Sequence, residues 1–342
     1  MHPDRTVRNA ILHHGNHYSA VLPYNLNWRI KLTPELRGYL DAHPLKVCDV
    51  GARGTPPDEL LPFFPAMAYH AFDADASECE RLAKLPNPFK QFKVLPYFIG
   101  KGNGRCRFNI YKEPGHSSIY DPGERYQAFF AGDGHFAVDR RVEVETVSLD
   151  AACARESLPA ADFLKIDTQG SELDILRGAE QSLKAAAMVE LEVEFVEVYK
   201  GQPLFHDVSQ FMADRGFELL YLNRFMEHRR QVYQGPSRGQ MIFGDALFGR
   251  REDTVADWSD EKIIKFALLL INYGHIDIAW QILHSRPALL TQLPSLQSYF
   301  RPQRGHRRGL IVAQLDKLAM LYLHLRGHNH LNYDSDRSWP TR

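Results

Sequence analysis

The feature that most constrains the fold is a repeated order of short apolar run, turn and amphipathic helix between residues 45 and 250. Apolar runs of about four to eight residues that alternate with helical patterns are typical of βαβ units, whose strands lie parallel. The sequence therefore predicts an α/β fold with a doubly wound, mostly parallel sheet whose ligands bind at the carboxyl ends of the strands. The predicted strands of this alternation are Lys46–Val50, Ala68–Phe72, Phe92–Ile99, Phe163–Asp167 and Ala187–Val198.

An insertion separates the third of these strands from the fourth. Cys106–Tyr111 and Arg141–Leu149 alternate like strands, and the insertion loop 112–140 between them is rich in glycine, serine and aromatic residues. A connection this long is usually a functional loop or a lid. After the fourth strand, the pattern predicts a helix over Ser171–Leu183 and another over Val208–Arg215 that ends at a glycine.

The chain is expected to have three parts: an N-terminal lead-in over 1–44, the α/β domain over 45–250 and a helical appendage over 251–342. In the appendage, apolar residues recur at helical spacing over Glu261–Ile282 and Gly309–Leu325. These helices are also candidates for contacts in a homo-oligomer.

Charge and apolar patterning limit the partners. The 342 residues carry 41 Lys+Arg and 42 Asp+Glu, a net charge of −1, so the chain lacks the positive field that general nucleic-acid binding requires. No apolar run is long enough for a signal-peptide core or a membrane span, and the four cysteines form no CxxC pair. We therefore expect a cytoplasmic protein that binds neither nucleic acid nor membrane.

Two sequence features outside the α/β domain bear on ligands. The loop Arg301–Arg308 is basic and either binds an anion or is simply solvated. His324, His328 and His330 lack the carboxylate of an HExxH arrangement, so we interpret them as a solvated face. The sequence indicates no metal site.

The turn after the first strand predicts the cofactor site. Asp49, Gly51, Arg53 and Gly54 lie at the carboxyl end of this strand, and Asp73 ends the next strand 22 residues beyond Gly51. This spacing suits a carboxylate that accepts hydrogen bonds from two ribose hydroxyls. A dinucleotide would require G-x-G-x-x-G, whereas an acid stands here in place of the first glycine, which favours a cationic ligand without phosphate such as S-adenosylmethionine. Taken alone, the turn could equally be accidental.

The segment Phe163–Ala179, which reads FLKIDTQGSELDILRGA, resembles the signature of the FkbM family of S-adenosylmethionine-dependent methyltransferases. This resemblance implies a Rossmann-like class I methyltransferase fold and O-methylation of a hydroxyl. Arg53 stands where the family usually has Asn, Asp73 replaces its usual Glu, and Gln169 replaces a frequent Glu. Further similarities occur in chain order at Asp49–Ala52, Phe72–Asp73, Ser117–Ser118, Val147–Asp150, Glu192–Tyr199 and Gly201–Phe205.

Three residues are candidates for the base that removes a hydroxyl proton. Asp167 ends its strand and could alternatively cap the following turn; it is also a candidate for cofactor contact. Glu192 shares one strand face with two other glutamates, and the resemblance favours Glu192 for the site. His116 is either a base or an exposed loop residue, and the neighbouring Ser117 and Ser118 are candidates for substrate binding.

These features predict an S-adenosylmethionine-dependent O-methyltransferase that acts on a hydroxyl of a sugar, glycan or other small-molecule acceptor by in-line methyl transfer. A divalent metal would be a second way to activate the hydroxyl, but none is indicated. The alternatives are a nicotinamide-dependent oxidoreductase, because the acid also suits that cofactor's ribose, and a catalytically weak S-adenosylmethionine-binding assembly protein.

Overall fold

The computed structural model of this protein describes residues 30–300 except 54–55, 131–133, 135 and 230–238, together with Leu318. Most of the predicted lead-in, the loop Arg301–Arg308, all of the predicted helix Gly309–Leu325 except Leu318, and the histidines His324, His328 and His330 lie outside the described residues. Gly54 of the predicted cofactor turn lies outside them as well.

The strands are β1 (Leu45–Val50), β2 (Met67–Phe72), β3 (Gln91–Leu95), β4 (Phe98–Gly100), β5 (Gly104–Tyr111), β6 (Val138–Ser148), β7 (Phe163–Ile166), β8 (Met188–Glu194), β9 (Phe217–Glu227) and β10 (Gln240–Arg250). The α-helices are α1 (Pro34–Ala42), α2 (Ala76–Lys84), α3 (Glu124–Phe129), α4 (Leu149–Arg155), α5 (Glu172–Arg177), α6 (Glu180–Ala185), α7 (Phe205–Ala213), α8 (Asp260–Asn272), α9 (Ile276–His284) and α10 (Pro287–Gln292). Short 3-10 helices cover Asp58–Ala66, Pro114–His116, Glu252–Thr254 and Pro294–Phe300.

The main sheet has the order β3-β2-β1-β7-β8-β10-β9 across the described residues. Within this sheet the neighbouring strands β3, β2, β1, β7 and β8 are parallel, whereas β10 is antiparallel to both β8 and β9. The chain moves outward from β1 to β3 in one direction and from β7 to β8 in the other, so the switch point lies between β1 and β7. This topology confirms the predicted doubly wound, mostly parallel sheet.

Several predicted elements are divided in the structure. The predicted strand Phe92–Ile99 is wrong as one element, because the chain leaves β3 at Pro96 and enters β4 in a different sheet. The predicted helix Ser171–Leu183 divides at Gly178, where a Cβ would lie 2.6 Å from the carbonyl oxygen of Gly100. The predicted helical segment Glu261–Ile282 divides at Gly274, whose φ of 86° ends α8.

The insertion contributes a second sheet of order β4-β6-β5. β5 and β6 pair antiparallel as a ribbon, and β4 joins β6 in parallel. The predicted loop 112–140 contains a 3-10 turn and α3, and its last residues already belong to β6. The insertion is therefore a folded layer beside the main sheet.

The core lies on both faces of the main sheet. Side chains on opposite faces of the sheet belong to different apolar clusters. Val47 belongs to the cluster that includes residues of α1 and of α8 to α10, whereas Cys48 belongs to the cluster that includes residues of α4 to α7. The helices after Arg251 thus share a core with the strands, while the domain boundary at residue 250 stays a prediction.

A membrane span needs about 20 residues, and no described helix is both long enough and apolar enough to be one.

Candidate functional site

A cleft with a volume of about 700 Å³ lies at the switch point of the main sheet. Ligand sites of small molecules fall between about 300 and 1,000 Å³, so the cleft has the size of such a site. The ends of β1, β2 and β7 form its floor through Gly51, Asp73 and Asp167. The second sheet and the turn at Pro114–Ser117 form the facing wall.

Gly51 sets the closest approach in this floor. Its φ is 84°, and a Cβ at this position would lie 1.9 Å from the carbonyl oxygen of Asp167, so only glycine fits. The amide of Gly51 donates to Phe72 O at 2.9 Å, and the amide of Asp167 donates to Val50 O at 2.9 Å. The three strand ends are therefore fixed against each other by backbone contacts.

Asp73 is the acid that the sequence predicts for the cofactor site. Its side chain is buried beside the cleft, and its Oδ1 accepts a hydrogen bond of 2.7 Å from the amide of Asp75. Burial raises the pKa of Asp73, while this backbone hydrogen bond and the charge of Arg53 act in the opposite direction. Oδ2 accepts no hydrogen bond from the residues that the structure describes, which leaves it able to accept from a ligand hydroxyl.

Arg53 lines the same end of the cleft, and its guanidinium forms an ion pair of 2.8 Å with Asp75. Asp75 also caps α2 by accepting from the amides of Ser77 and Glu78. Arg53 therefore ties the glycine turn to the beginning of α2. Its charge is balanced by a carboxylate of the protein itself.

Gln169 joins the two acids predicted as bases. Its Nε2 donates to Glu192 Oε1 at 3.1 Å and approaches Asp167 Oδ1 at 3.4 Å. Its Oε1 accepts from the hydroxyl of Tyr199 at 3.0 Å, and this assignment gives every amide atom a suitable partner. An amide at this position can donate to both carboxylates, whereas the Glu frequent in the family would add a further negative charge.

The loop that carries Gln169 is held from both sides. Gln169 itself has a φ of 59°, an uncommon conformation for a residue with a side chain. On one side of the loop, the carbonyl oxygen of Gln169 accepts a hydrogen bond of 2.7 Å from Ser118 Oγ. Glu172 holds the other side of the loop, because its carboxylate accepts from the amide of Thr168 at 2.7 Å and from Gly170 at 3.3 Å. Strained residues of this kind persist only where neighbours fix them.

A partly buried lysine lies beside Asp167. Lys165 Nζ lies 3.4 Å from Asp167 Oδ2. Burial alone would lower the pKa of Lys165, but the carboxyls of Asp167, Asp49, Glu190 and Asp245 raise it. One cation is thus shared among several carboxyl groups.

The carboxyl groups around this lysine hold their protons more tightly than usual. Burial is the largest cause, and it raises the pKa of Asp245 to about 6 and that of Glu190 to about 8. Burial also raises the pKa of Glu192, with the charge of Asp167 as the next cause. Tyr273, the residue that follows α8, donates to Glu190 at 2.8 Å, so Glu190 has a structural contact with the C-terminal part of the described chain.

The structure separates the sequence-predicted residues into two groups. Gly51, Arg53, Asp73, Asp167 and Ser117 line the cleft.

The other predicted residues lie near the described cleft without lining it. Asp49 is 2% exposed and accepts from the hydroxyl of Tyr69. Ser118 is fully buried, and Glu192 contacts the cleft through Gln169. The ring of His116 stacks on Phe136 at 5.0 Å, and its carbonyl oxygen accepts from Tyr199.

Several residues that line the cleft were not predicted from the sequence. Tyr97, Phe108, Arg140 and Val142 line it, and all come from the segment that β3 to β6 span. The alternation of β5 and β6 was visible, but which of their faces borders the cleft depends on the placement of the second sheet. In the part of the chain that the structure describes, no group of three or more His, Cys, Asp or Glu side chains is arranged to hold a metal ion.

The strand order, the antiparallel last pair and the cleft at the switch point define a Rossmann-like methyltransferase fold. Residues 61–219 match the model of the methyltransferase FkbM domain, which confirms the resemblance in the sequence motifs. This segment belongs to the FkbM methyltransferase family.

A curated relative is the 2-O-methyltransferase NoeI of Sinorhizobium fredii (strain NBRC 101917 / NGR234), which is 23% identical over 203 residues, 55% of this chain and 83% of the relative. Among solved structures, magnesium protoporphyrin IX methyltransferase (ChlM) from Synechocystis PCC 6803 with bound SAM is 10% identical, with coverage of 63% of this chain and 76% of that chain and a TM-score of 0.28. Precorrin-6y C5,15-methyltransferase from Geobacter metallireducens GS-15 is 11% identical, with coverage of 64% and 90% and a TM-score of 0.30.

The raised pKa of Glu190 predicts that the protein loses stability as the pH rises. The ordinary pKa is 4.5 and the pKa in the fold is about 8, so the folded state binds more protons than the unfolded state between these values. Between about pH 6 and about pH 9, we expect wild type to lose about 2 kcal/mol more of its free energy of unfolding than Glu190→Gln. Urea unfolding at the two pH values measures this difference.

The matched control is Glu145→Gln, because the side chain of Glu145 is 81% exposed. This variant should show the same pH dependence as wild type. An equal loss in Glu190→Gln and wild type would contradict a raised pKa at Glu190.

Proposed function

We propose that this chain is an S-adenosylmethionine-dependent O-methyltransferase that acts on a hydroxyl of a sugar, glycan or other small-molecule acceptor by in-line methyl transfer. The observation that carries the proposal is the cleft at the switch point of an FkbM domain, with Asp73 and Asp167 at the ends of two of its strands. The name of the curated relative, a 2-O-methyltransferase, supports oxygen as the methylated atom.

The cofactor side of the cleft suits a ligand with a ribose and a positive charge. S-adenosylmethionine, when bound, supplies an electrophilic methyl group on a sulfonium. Asp73 would accept from the ribose hydroxyls, because its Oδ1 is already held by the amide of Asp75 and its carboxylate is thereby oriented. Arg53 would not repel the sulfonium strongly, since Asp75 balances its charge. The residues present therefore fit this cofactor.

Asp167 is the group that we assign as the base. It lines the cleft and directly follows β7, and its side chain is 39% exposed, so an acceptor hydroxyl can reach it. Lys165 pairs with one of its oxygens and Gln169 approaches the other. The base would take the hydroxyl proton as the oxygen attacks the methyl carbon.

Glu192 and His116 are assigned positioning roles in this proposal, in place of the catalytic roles predicted from the sequence. Glu192 accepts from the amide of Gln169, and its raised pKa favours a protonated carboxyl over a charged base. The ring of His116 packs on Phe136, and its carbonyl oxygen and Gln169 Oε1 both lie within 3.0 Å of the Tyr199 hydroxyl, which shares its one proton between them. Both residues would act through Gln169.

Removal of the Asp73 carboxylate should weaken cofactor binding. We expect Asp73→Ala to lower the affinity for S-adenosylhomocysteine at least about tenfold, because hydrogen bonds to a charged group contribute about 1.5–3 kcal/mol. Isothermal titration calorimetry measures this change. Glu80→Ala, on the exposed side of the adjacent helix α2, is the control and should bind as wild type does.

NADH, titrated in the same way, separates the proposal from a nicotinamide-dependent oxidoreductase. Wild type should bind S-adenosylhomocysteine and not NADH. Binding of NADH alone, or unchanged affinity in Asp73→Ala, would contradict the assignment of this cleft.

Gln169 is predicted to position the base. We expect Gln169→Ala to lower kcat about 10²-fold, because loss of alignment between base and hydroxyl has effects of this size, while the affinity for S-adenosylhomocysteine changes less than about threefold. Steady-state assays with radiolabelled S-adenosylmethionine, on an acceptor found by screening sugars and glycans, measure kcat. The exposed Gln91→Ala on β3 is the control and should retain full activity. A parallel loss of cofactor affinity would show that Gln169 serves the binding of the cofactor instead.

A further inference from the structure

The second sheet presents an apolar face to the cleft. The side chains on this face come from all three of its strands and are half-buried, although they belong to none of the hydrophobic clusters of the described residues. We call this surface the apolar wall. It consists of Phe98, Phe108, Ile110, Val142 and Val144.

Strand register shows that the wall is one continuous face. Phe108 lies opposite Val142, and Ile110 lies opposite Arg140 across the β5–β6 ladder, so their side chains leave the sheet on the same side. Phe98 packs edge-on against Phe108 with ring centroids 5.0 Å apart. Intervening residues such as Arg105 and Glu145 pair with each other on the opposite side. Apolar residues that face a cleft instead of a core indicate a surface for an apolar part of a ligand.

Arg140 is the charged residue beside this wall, and it lines the cleft as well. Its guanidinium forms no ion pair or hydrogen bond with the residues that the structure describes. Of the other charged groups of the cleft, Arg53 pairs with Asp75 and Asp167 pairs with Lys165, whereas the acid Asp73 forms no ion pair with the described residues. Arg140 is therefore the cation of the described lining that the protein leaves without a counter-charge, and an anionic ligand group would complement it.

One end of the wall lies near the loop that carries the proposed base. Ile110 precedes Tyr111, whose amide donates to Ser117 Oγ at 3.2 Å, and Ser117 itself lines the cleft. The next residue, Ser118, donates to the carbonyl of Gln169. The Ile110 end of the wall thus adjoins the loop that follows the proposed base.

We propose that the apolar wall and Arg140 form an acceptor subsite for an amphipathic anion: a hydroxylated molecule whose apolar body lies on the wall and whose carboxylate, sulfate or phosphate pairs with Arg140. This inference rests on the proposed function for the identity of the subsite as the acceptor's. The anion binding itself does not depend on methyl transfer and is tested separately.

The test is calorimetric titration of the full chain with four eight-carbon probes that differ in their head group: octyl sulfate, octanoate, octyl glucoside and octyltrimethylammonium. Wild type should bind the two anions at least about tenfold more tightly than the neutral and cationic probes, because a charge-assisted hydrogen bond contributes about this factor. Each titration is repeated with S-adenosylhomocysteine at saturation, and both ligands should bind together.

Three variants localise the binding. Arg140→Ala should lose the preference for anions and bind octyl glucoside unchanged, whereas Val142→Thr, nearly isosteric, should weaken all four probes about threefold or more through the lost apolar contact. Arg105→Ala removes a 70% exposed arginine from the opposite side of the same sheet and should bind as wild type does. Circular dichroism confirms that each variant is folded.

Unchanged anion affinity in Arg140→Ala, equal weakening in Arg105→Ala, or displacement of octyl sulfate by S-adenosylhomocysteine would each overturn the subsite. If the anions bind through Arg140 but S-adenosylhomocysteine does not bind, the proposed function fails while the anion site stands. If S-adenosylhomocysteine binds and the probes show no dependence on Arg140, the inference fails while the proposed function stands.

Discussion

The close approach of β1 and β7 at the switch point is the constraint on which the rest of the site depends. Gly51 makes the approach possible, because any side chain would enter the carbonyl of Asp167. Once the two strands meet, the sheet must continue outward in opposite directions, and their carboxyl ends open a cleft between the following loops. The acid of β2 and the acid of β7 are thereby placed on one floor, although 94 residues separate Asp73 from Asp167 in the chain.

This placement creates an electrostatic problem, since several carboxyl groups converge on one end of the sheet. The fold answers it in two ways. Lys165 supplies one partly buried positive charge, and burial keeps neighbouring carboxyls such as Glu190 protonated to higher pH than usual. Gln169 adds hydrogen-bond donors without adding charge, so an amide between Asp167 and Glu192 keeps both acids in place. The departure of Gln169 from the family's usual Glu is therefore consistent with the crowding of acids in this chain.

The sequence predicted the features that depend on local pattern. Strands β1, β2 and β7 and the positions of Asp73 and Asp167 at strand ends follow from apolar runs that stop at glycine or acid, and the structure has them where the pattern indicates. The signature around Asp167 also identified the family.

What the sequence did not predict depends on contacts between distant segments. Gly178 interrupts a helix because Gly100 packs against it, and nothing local to Gly178 shows that. The apolar residues of β5 and β6 were recognised as strands, but their role as a wall of the cleft depends on where the second sheet lies. The helices after Arg251 read as an appendage, because their apolar face does not reveal that Val47 and other sheet residues cover it.

The proposed function requires the cleft at the switch point to hold the adenosyl cofactor between Asp73 and Asp167. A crystal structure of the protein with S-adenosylhomocysteine would show whether it does. We expect the ribose hydroxyls to lie about 2.6–3.2 Å from the carboxylate of Asp73, with the sulfur on the Asp167 side of Gly51. A ligand bound outside this cleft, or one whose ribose makes no contact with Asp73, would contradict it.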